Sequence, residues 1–253
     1  MYEFRDTIEQ GADKRLPSVA MTFDGKIFEN EISGYETLNV SGRETISTEL
    51  VSYDVRYGSI TTHERLPSRV ITVQYRLEER DNLVFQNKFK ALRKLLSIGE
   101  QTFFSFRDDP DTFYLGRLAG MEEVEPSSNT VVSSFTLLCD SPYKFGKLVT
   151  TTNAITIDTF YETPPLLINV VVNQSTQTVE VTNGIETIRL EDSFKSGDKI
   201  AINVEQGFVA KNGEDNTYSV ALNSDFENFV IEKGQTVSSP QGKVTTTMRE
   251  RWL

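Results

Sequence analysis

The sequence has too few cysteine and histidine residues for two common ways of stabilising a fold or holding a metal. Among its 253 residues, Cys139 is the one cysteine and His63 the one histidine. A single cysteine cannot form an intramolecular disulfide, so packing alone must hold the fold together. The two residues also exclude every zinc site that needs three or more cysteine or histidine ligands.

The chain also lacks a long hydrophobic run and an excess of basic residues. No apolar stretch approaches the roughly 20 residues that a membrane helix needs, and Met1–Asp6 does not begin a secretory signal. With 37 acidic and 26 basic side chains, the formal net charge is −11, whereas binding to phosphates takes a basic excess. These absences predict a soluble protein, synthesised in a cytoplasm, with no membrane partner and no specific nucleic-acid partner.

The composition changes near residues 141–143, where we place a boundary between two domains. The first domain, 1–143, contains one convincing helical pattern, while the second, 144–253, is rich in threonine, asparagine, valine and isoleucine with frequent turn residues. We expect residues 150–152 to connect the two domains. No internal repeat is evident. The fold class predicted is therefore mainly β, with one helix in the first domain.

The predicted helix spans about residues 81–98. Its buried face is marked by apolar residues at helical spacing, namely Phe85, Phe89, Leu92, Leu95 and Leu96. Asp81 is a suitable N-cap, and Gly99 supplies a left-handed stop. The outer face carries Lys88, Lys90, Arg93 and Lys94. This basic face is either a solvated surface or a docking patch for an acidic neighbour.

Strand-like alternation fills the rest of the first domain. The segments are Val19–Phe23, Ile71–Leu77, Thr102–Phe106, Thr112–Leu118 and Val131–Cys139. Asp24-Gly25 indicates a hairpin in which Met21 faces Phe28. A loop over 107–111 is expected between two of the strands.

The second domain reads as a β-sandwich of short strands. Its strand candidates are Leu166–Val172, Ile200–Val204 and Phe229–Ile231, with a turn at Asn212-Gly213. A four-residue loop over 183–186 is preferred to a two-residue turn, because it pairs Val181 with Ile188 and keeps charge off the apolar face. Residues 238–253 receive no assigned structure, and Trp252 is placed in a tail.

No residue of the chain is assigned a catalytic, cofactor-binding or metal-binding role. The acidic run Asp108-Asp109-Pro110-Asp111 has carboxylates that suit calcium, but it lacks the glycine and distal glutamate of an EF-hand loop, so a structural turn is preferred. His63 sits beside Glu64 in a polar loop without any nucleophile motif, which indicates a surface residue. Cys139 falls on the apolar side of a strand and is interpreted as a buried structural thiol.

Other charged and aromatic clusters also have structural interpretations. The short acidic run of Glu122, Glu123 and Glu125 is interpreted as a solvated loop. We interpret one aromatic group as part of the core, namely Phe103, Phe104, Phe106, Phe113 and Tyr114. A carboxylate pair of the glycosidase type is not excluded by composition, but nothing singles one out. The residues themselves indicate a two-domain, β-rich binding or structural protein.

Several sequence segments resemble the distal tail protein family of long, non-contractile-tailed phages that infect Gram-positive bacteria. In the first domain they are Asn87–Leu96, Phe104–Tyr114 and Asp140–Phe145, and in the second they are Gly197–Asn203, Lys211–Gly213 and Ser224–Phe229. The resemblance rests on the order of these segments along the chain, since the match of each segment alone is weak.

The resemblance implies a structural hub of the virion at the distal end of the tail. It implies a homo-hexameric ring that joins the tail tube protein to the tail-tip or tail-fibre protein and to receptor-binding proteins, with DNA passing through its centre. The first domain would build the ring, and the second would be a galectin-like sandwich projecting outward. The alternative is a glycan-binding adhesin that contacts the host cell surface directly. An enzyme is not expected. The basic helix face meeting the acidic loop 122–125 is one candidate contact between copies.

Overall fold

The computed structural model describes residues 16–124, 129–157, 161 and 163–253. The chain separates into two compact units, Met1–Tyr143 and Lys144–Leu253. In the part of the chain described, no helix has the length and hydrophobicity of a membrane-spanning segment. The predictions made for Met1–Asp6 and for Glu125 fall outside the described residues.

The first unit is an antiparallel sheet structure with one long helix. Its elements are β1 (Met21–Phe23), β2 (Lys26–Ile27), α1 (Phe28–Glu31), β3 (Tyr35–Ser41), β4 (Glu49–Asp54), β5 (Ser59–Arg65), β6 (Arg69–Glu78), α2 (Asn82–Leu96), β7 (Thr102–Phe106), β8 (Asp109–Met121) and β9 (Thr130–Cys139). Seven strands pair in the order β3-β6-β9-β8-β7-β1-β2. The long strand β8 joins the two halves, because it pairs with β7 through its first part and with β9 through its last part.

The core of the first unit follows the predicted periodicities. Every second residue of β6 from Ile71 to Leu77 is buried. Helix α2 buries Phe85, Leu92 and Leu96 against the same core. Its N-cap is Asp81, whose carboxylate accepts hydrogen bonds from the backbone N–H groups of Leu83 and Val84, both at 2.9 Å. The predicted helix is confirmed to within two residues at its C-terminus.

The first hairpin is shorter than its sequence predicts. Asp24 and Gly25 form the two-residue turn, and Phe23 pairs with Lys26. The predicted pairing of Met21 with Phe28 is wrong, because Phe28 begins α1, a second helix of one turn. Phe28 turns inward instead, where its ring lies 6.0 Å from that of Phe23. The buried ring takes the place of the predicted ladder pair with Met21.

The loop predicted over 107–111 is also wrong in its extent. Asp109 pairs with Phe106, so the chain reverses over Arg107 and Asp108 alone and β8 starts at Asp109. A β-bulge beside Phe106 makes this tight reversal possible.

The second unit is a β-sandwich. Its strands are β10 (Lys144–Thr151), β11 (Leu167–Val172), β12 (Thr176–Thr182), β13 (Thr187–Phe194), β14 (Lys199–Asn203), β15 (Phe208–Lys211), β16 (Glu214–Asp215) and β17 (Gly242–Trp252), with a short 3-10 turn at Thr217–Ser219. One antiparallel sheet has the order β16-β15-β14-β11-β17-β10, and β12 pairs with β13 in the other. Both sheets contribute to one core, which contains Val170 and Ile202 from the first and Val181 and Leu190 from the second. The mainly β, two-domain fold class is confirmed.

The register of β12 and β13 is the predicted one. Val181 pairs with Ile188, Val179 with Leu190, and Thr182 with Thr187. In the four-residue loop, the Asn183 side-chain oxygen accepts hydrogen bonds from the backbone N–H groups of Ile185 and Glu186. The asparagine therefore fixes the loop, and the buried face fixes the register.

Three predictions for the second unit are wrong. Phe229–Ile231 is not a strand: Phe229 and Ile231 are buried, and within the described part of the chain Ile231 forms an isolated bridge to Thr163. Thr150 and Thr151 belong to β10 and pair with β17, so they are not a connecting segment. Trp252 is not in a tail but ends β17, opposite Lys144. The threonine-rich sequence of β17 conceals its apolar alternation, although Val244 and Met248 are both buried.

Candidate functional site

One element of the first unit does not pack on its core. Strands β4 and β5 pair with each other in a separate two-stranded sheet, and every residue of both strands is exposed. A two-stranded hairpin alone in water is at best marginally stable. The β4–β5 hairpin therefore presents two open faces and two open edges to whatever the protein contacts.

One face of this hairpin is apolar in its part near the tip. Side chains alternate along a strand, and residues paired across a ladder share a face. Tyr53 pairs with Ile60, and Val51 lies two residues before Tyr53, so all three project from the same side. Their exposed fractions are 65%, 57% and 47%. We call Val51, Tyr53 and Ile60 the apolar face; His63, which pairs with Val51, and the pair of Glu49 with Arg65 lie further from the tip on the same side. The opposite side carries Ser52, Asp54 and Thr61 together with Leu50.

The hairpin ends in an aromatic tip. The chain reverses over Val55–Gly58, where the backbone N–H of Val55 donates to the carbonyl of Gly58 at 3.0 Å. Tyr57 is 83% exposed, and the Arg56 guanidinium lies 5.5 Å from its ring centroid. The tip, Val55–Gly58, combines a large aromatic surface with a cation, which is the composition of interface hot spots.

A buried arginine holds the root of the hairpin. Arg69, at the start of β6, is 5% exposed. Its guanidinium donates to the backbone carbonyls of Arg43 at 2.6 Å, Thr45 at 3.0 Å and Pro142 at 2.8 and 3.0 Å. The planar fork of arginine can donate in several directions at once. It therefore fastens the segment that leads into β4 to the end of the first unit.

A second ion pair supports the same segment. Arg43 donates to both carboxylate oxygens of Asp108, at 2.8 and 2.7 Å, and its guanidinium lies 5.1 Å from the centroid of the Phe106 ring. The hydrogen bond from Arg43 holds the pKa of Asp108 below its usual range. Asp108 belongs to the acidic run considered for calcium, and its oxygens are occupied by this pair.

The remaining predicted candidates stay apart from one another. Among the described residues, no group of three or more histidine, cysteine or acidic side chains could hold a metal ion. His63 is exposed but lies in β5 opposite Val51, so the polar loop predicted around it is a strand. Cys139 is buried in the core as predicted, and desolvation raises the pKa of its thiol to about 12.

The basic face of α2 is only partly available as a surface. Lys88 forms an ion pair of 2.5 Å with Glu79, and the Arg93 guanidinium lies 5.9 Å from the Phe89 ring centroid. Lys90 and Lys94 remain exposed. The proposed contact between this face and the acidic loop, where Glu122 and Glu123 are exposed, stays a prediction.

The aromatic group before and after the 107–108 turn is core, in large part. Phe104, Phe106 and Tyr114 are buried, and the rings of Phe104 and Tyr114 are stacked with centroids 5.4 Å apart. Phe103 and Phe113 are half-buried. The core interpretation therefore holds fully for Phe104, Phe106 and Tyr114 and in part for Phe103 and Phe113.

A polar cleft of about 310 Å³ lies in the second unit, beside the turn that joins β15 to β16. Tyr218 projects there and is 80% exposed, and Lys211, Asn212, Glu214, Asp215 and Asn216 complete the lining. Most of these polar groups already serve the fold. Lys211 pairs with Asp192 at 2.8 Å, and the Asp215 carboxylate accepts from the backbone N–H of Thr217.

Two sequence comparisons define the chain as a structural component of a phage tail. The family described as phage tail protein RIFT-related domain matches residues 30–139, and the family described as siphovirus-type tail component, C-terminal domain, matches residues 158–252. The chain belongs to the siphovirus distal tail protein family, as predicted from its sequence segments, and is a virion protein of the distal tail end. The family is one of structural tail components rather than of enzymes. A comparison with curated proteins of known function gives no match.

Solved structures share the fold. The crystal structure of SPP1 Dit, described as a paradigm of hub adsorption apparatus in phages that infect Gram-positive bacteria, aligns with a TM-score of 0.76 at 20% identity over 92% of this chain and 99% of that one. A chain of the phage p2 baseplate in its activated conformation with Ca aligns with a TM-score of 0.55 at 11% identity, over 86% of this chain and 91% of that one. These likenesses concern the fold.

Proposed function

We propose that this protein is the architectural hub of the tail end, acting as a homo-hexameric ring through which DNA passes. The first domain, 1–143, builds the ring, and the second, 144–253, is the galectin-like domain available to other proteins. The ring joins the tail tube protein to the tail-tip or tail-fibre protein and to receptor-binding proteins. Family membership supports this role, as does the description of SPP1 Dit as a hub of an adsorption apparatus.

The observation that carries the proposal is the unpacked hairpin. Its apolar face exposes about half or more of three large side chains, and burial of apolar surface contributes roughly 25 cal/mol per Å². A closed ring needs a surface on each copy that fits a different surface on the next copy. The β4–β5 hairpin is the kind of protruding element that supplies one of those surfaces.

The acidity of the chain fits the passage of DNA. A ring whose inner wall carries part of the net charge of −11 would repel phosphates, so that DNA can move through without adhering.

We expect the purified chain to form a species of about six copies of its 28.6 kDa mass, and Ile60→Asp to prevent it. The aspartate places a charge in the apolar face, which must lose water when copies associate. Native mass spectrometry gives the number of copies, and electron microscopy of the same sample shows whether the ring has an open, negatively charged centre.

Val132→Asp is the matched control, because Val132 is 55% exposed on β9 while Ile60 is 57% exposed. The control should assemble like the parent chain. A parent chain that stays monomeric at every concentration, or a ring that forms equally well with Ile60→Asp, would contradict the role given to the hairpin.

The alternative function, glycan recognition by the second domain, has one observation in its favour. Tyr218 is an exposed aromatic side chain beside a polar cleft, and saccharide sites combine an apolar ring with a few polar groups. Against it, the cleft's polar atoms are largely engaged in internal hydrogen bonds, and Trp252 is tied into β17. The structural role is therefore preferred.

A glycan array of the full chain tests the alternative. If the cleft binds saccharide, Tyr218→Ala should lower the signal at least about tenfold, whereas Phe208→Ala, an exposed aromatic outside the cleft, should not. Absence of any signal with the parent chain removes the alternative and leaves the architectural role in place.

A further inference from the structure

A groove in the first unit has the size and chemistry to receive an aromatic side chain. It lies between the β1–β2 turn and the C-terminal part of α2 and encloses about 360 Å³, at the small end of the range for ligand pockets. Its apolar lining comes from Phe23, Ile32, Leu95 and Ile98. Phe23 and Ile32 are core residues, while Ile98 is 42% exposed at its mouth.

The rim of the groove carries charges of both signs. Asp24, Lys26 and Glu31 are exposed on one flank, where the acidic charges outnumber the basic one, and Lys94 is exposed on the helix. A rim of this kind favours an occupant with an apolar centre and charges of both signs around it. A purely apolar peptide would leave these charges without complementary partners.

The hairpin tip has the complementary composition. Tyr57 is 83% exposed, the Arg56 guanidinium lies over the Tyr57 ring, and Asp54 is exposed at the end of β4. If Tyr57 enters the groove, Arg56 can face Asp24 or Glu31. Asp54 can then face Lys94.

The groove and the root of the hairpin lie at opposite ends of β7. At its start, the backbone N–H of Asp24 donates to the carbonyl of Phe103 at 3.2 Å, which places the groove there. Beyond its end, Asp108 holds Arg43 at the hairpin root. The five residues of β7 span about 17 Å, and the hairpin extends by about 20 Å more without packing on its own unit. The two surfaces are therefore placed for a contact between different copies.

We propose that the hairpin tip of one copy docks in this groove of the next copy, with Tyr57 as the buried anchor. This inference rests on the proposed ring. In a closed ring, each copy uses one surface to contact a different surface of the next copy, and the same contact repeats around the axis. A hairpin tip that docks in a distant groove is a contact of this heterologous kind. The inference identifies the occupant of the groove as a second copy of this chain.

Disulfide trapping between two different variants tests the contact. Val55→Cys places a thiol at the tip, Lys94→Cys places one at the groove rim, and Tyr57 and Ile98 stay intact. Cys139 can remain in both chains, because it is buried in the core. When the two variants are mixed and oxidised, a reducible pair of twice the chain mass should form at least about tenfold faster than in a control mixture, since docking gives the thiols a high effective concentration.

The control mixture replaces Lys94→Cys by Val84→Cys. Val84 is also exposed on α2, but lies ten residues, or about 15 Å, from Lys94 along the helix and does not line the groove. Adding Tyr57→Ala to the Val55→Cys chain should lower the yield of the pair at least about fivefold, because the anchor is lost.

The outcomes separate this contact from the ring itself. A ring of about six copies that gives no more of the disulfide-linked pair than the Val84→Cys control would overturn the docking while the proposed hub stands. A chain that is monomeric by mass at every concentration would overturn both. Trapping that is specific to Lys94→Cys and depends on Tyr57 supports the docking.

Discussion

We expect Arg69→Met to destabilise the first unit by about 3 kcal/mol or more. The substitution keeps an unbranched apolar stem but removes every donor that serves the carbonyls of Arg43, Thr45 and Pro142. Acceptors left unpaired away from water cost about 1–3 kcal/mol each. For a unit of this size the loss corresponds to a fall of about 10 °C in its unfolding midpoint.

Two probes separate the units in this measurement. Trp252 is the sole tryptophan and lies in the second unit, so its fluorescence reports that unit, whereas far-UV circular dichroism reports both. Arg69→Met should lower the transition seen by circular dichroism and leave the Trp252 transition in place. It should also speed trypsin cleavage after Arg43, because the hairpin root is no longer held.

Arg76→Met is the control, since it makes the same change on the same strand. Arg76 is exposed and pairs with Glu36 at 2.7 Å, and exposed pairs contribute about 0–1 kcal/mol. Equal effects of the two substitutions would show that Arg69 acts as an ordinary strand residue. Arg69→Lys should fall between the parent and Arg69→Met, because one ammonium cannot reproduce a planar fork with several directions of donation.

Local patterns predict the packed elements of this protein well. The alternation of Ile71, Val73, Tyr75 and Leu77 predicts β6, and the helical spacing of Phe85, Leu92 and Leu96 with an N-cap at Asp81 predicts α2. The same reasoning predicts the register of β12 and β13. In each case the buried face can be predicted from the sequence, because the apolar residues that repeat at strand or helix spacing are the ones that are buried.

The patterns fail where a strand is decided by a distant partner. Phe229 and Ile231 alternate in burial like a strand, yet among the residues that the structure describes no strand pairs with them beyond the bridge from Ile231 to Thr163. In contrast, β17 has a threonine-rich sequence with weak apolar contrast, but β10 and β11 flank it on both sides. Its pairing therefore comes from tertiary structure that no window of the sequence contains.

The candidate site is missed for a different physical reason. Val51 and Tyr53 alternate with polar residues and Gly58 marks a turn, so a hairpin signal exists between residues 49 and 65. The usual expectation, that an alternating segment covers a core, does not hold for β4 and β5. Which alternating strands remain uncovered depends on the complete sheet, and the anchoring by Arg69 depends on carbonyls more than 20 residues away.

The second large effect is expected from Gly42→Ala. Gly42 follows β3 with φ of +89°, and a Cβ atom there would lie 2.1 Å from the carbonyl oxygen of Val70. The neighbouring atoms are the backbone of Val70 and Ile71, so no side chain can move aside. Left-handed backbone with a Cβ costs about 1–2 kcal/mol, and overpacking adds about 1–3 kcal/mol. We expect a loss of about 3 kcal/mol in the unfolding free energy of the first unit, measured by denaturant titration.

Gly25→Ala separates the two contributions. Gly25 also has a positive φ, of +71°, but a Cβ atom there would meet nothing within 4 Å. It should therefore cost only the conformational strain, about 1–2 kcal/mol. If both variants lose the same unfolding free energy, the contact of the new Cβ atom with Val70 costs nothing. The backbone strain alone would then account for the effect of Gly42→Ala.

Gly34 extends the argument to the other end of β3. It has φ of +83°, and its Cβ would lie 2.2 Å from the carbonyl oxygen of Glu78, at the far end of β6. The two glycines thus let β3 lie close against β6 at both ends, and Gly42 lies next to the segment that Arg69 fastens. Gly34→Ala should resemble Gly42→Ala in its loss of stability. Because Gly42 also precedes the hairpin root, Gly42→Ala alone should in addition weaken assembly of the proposed ring.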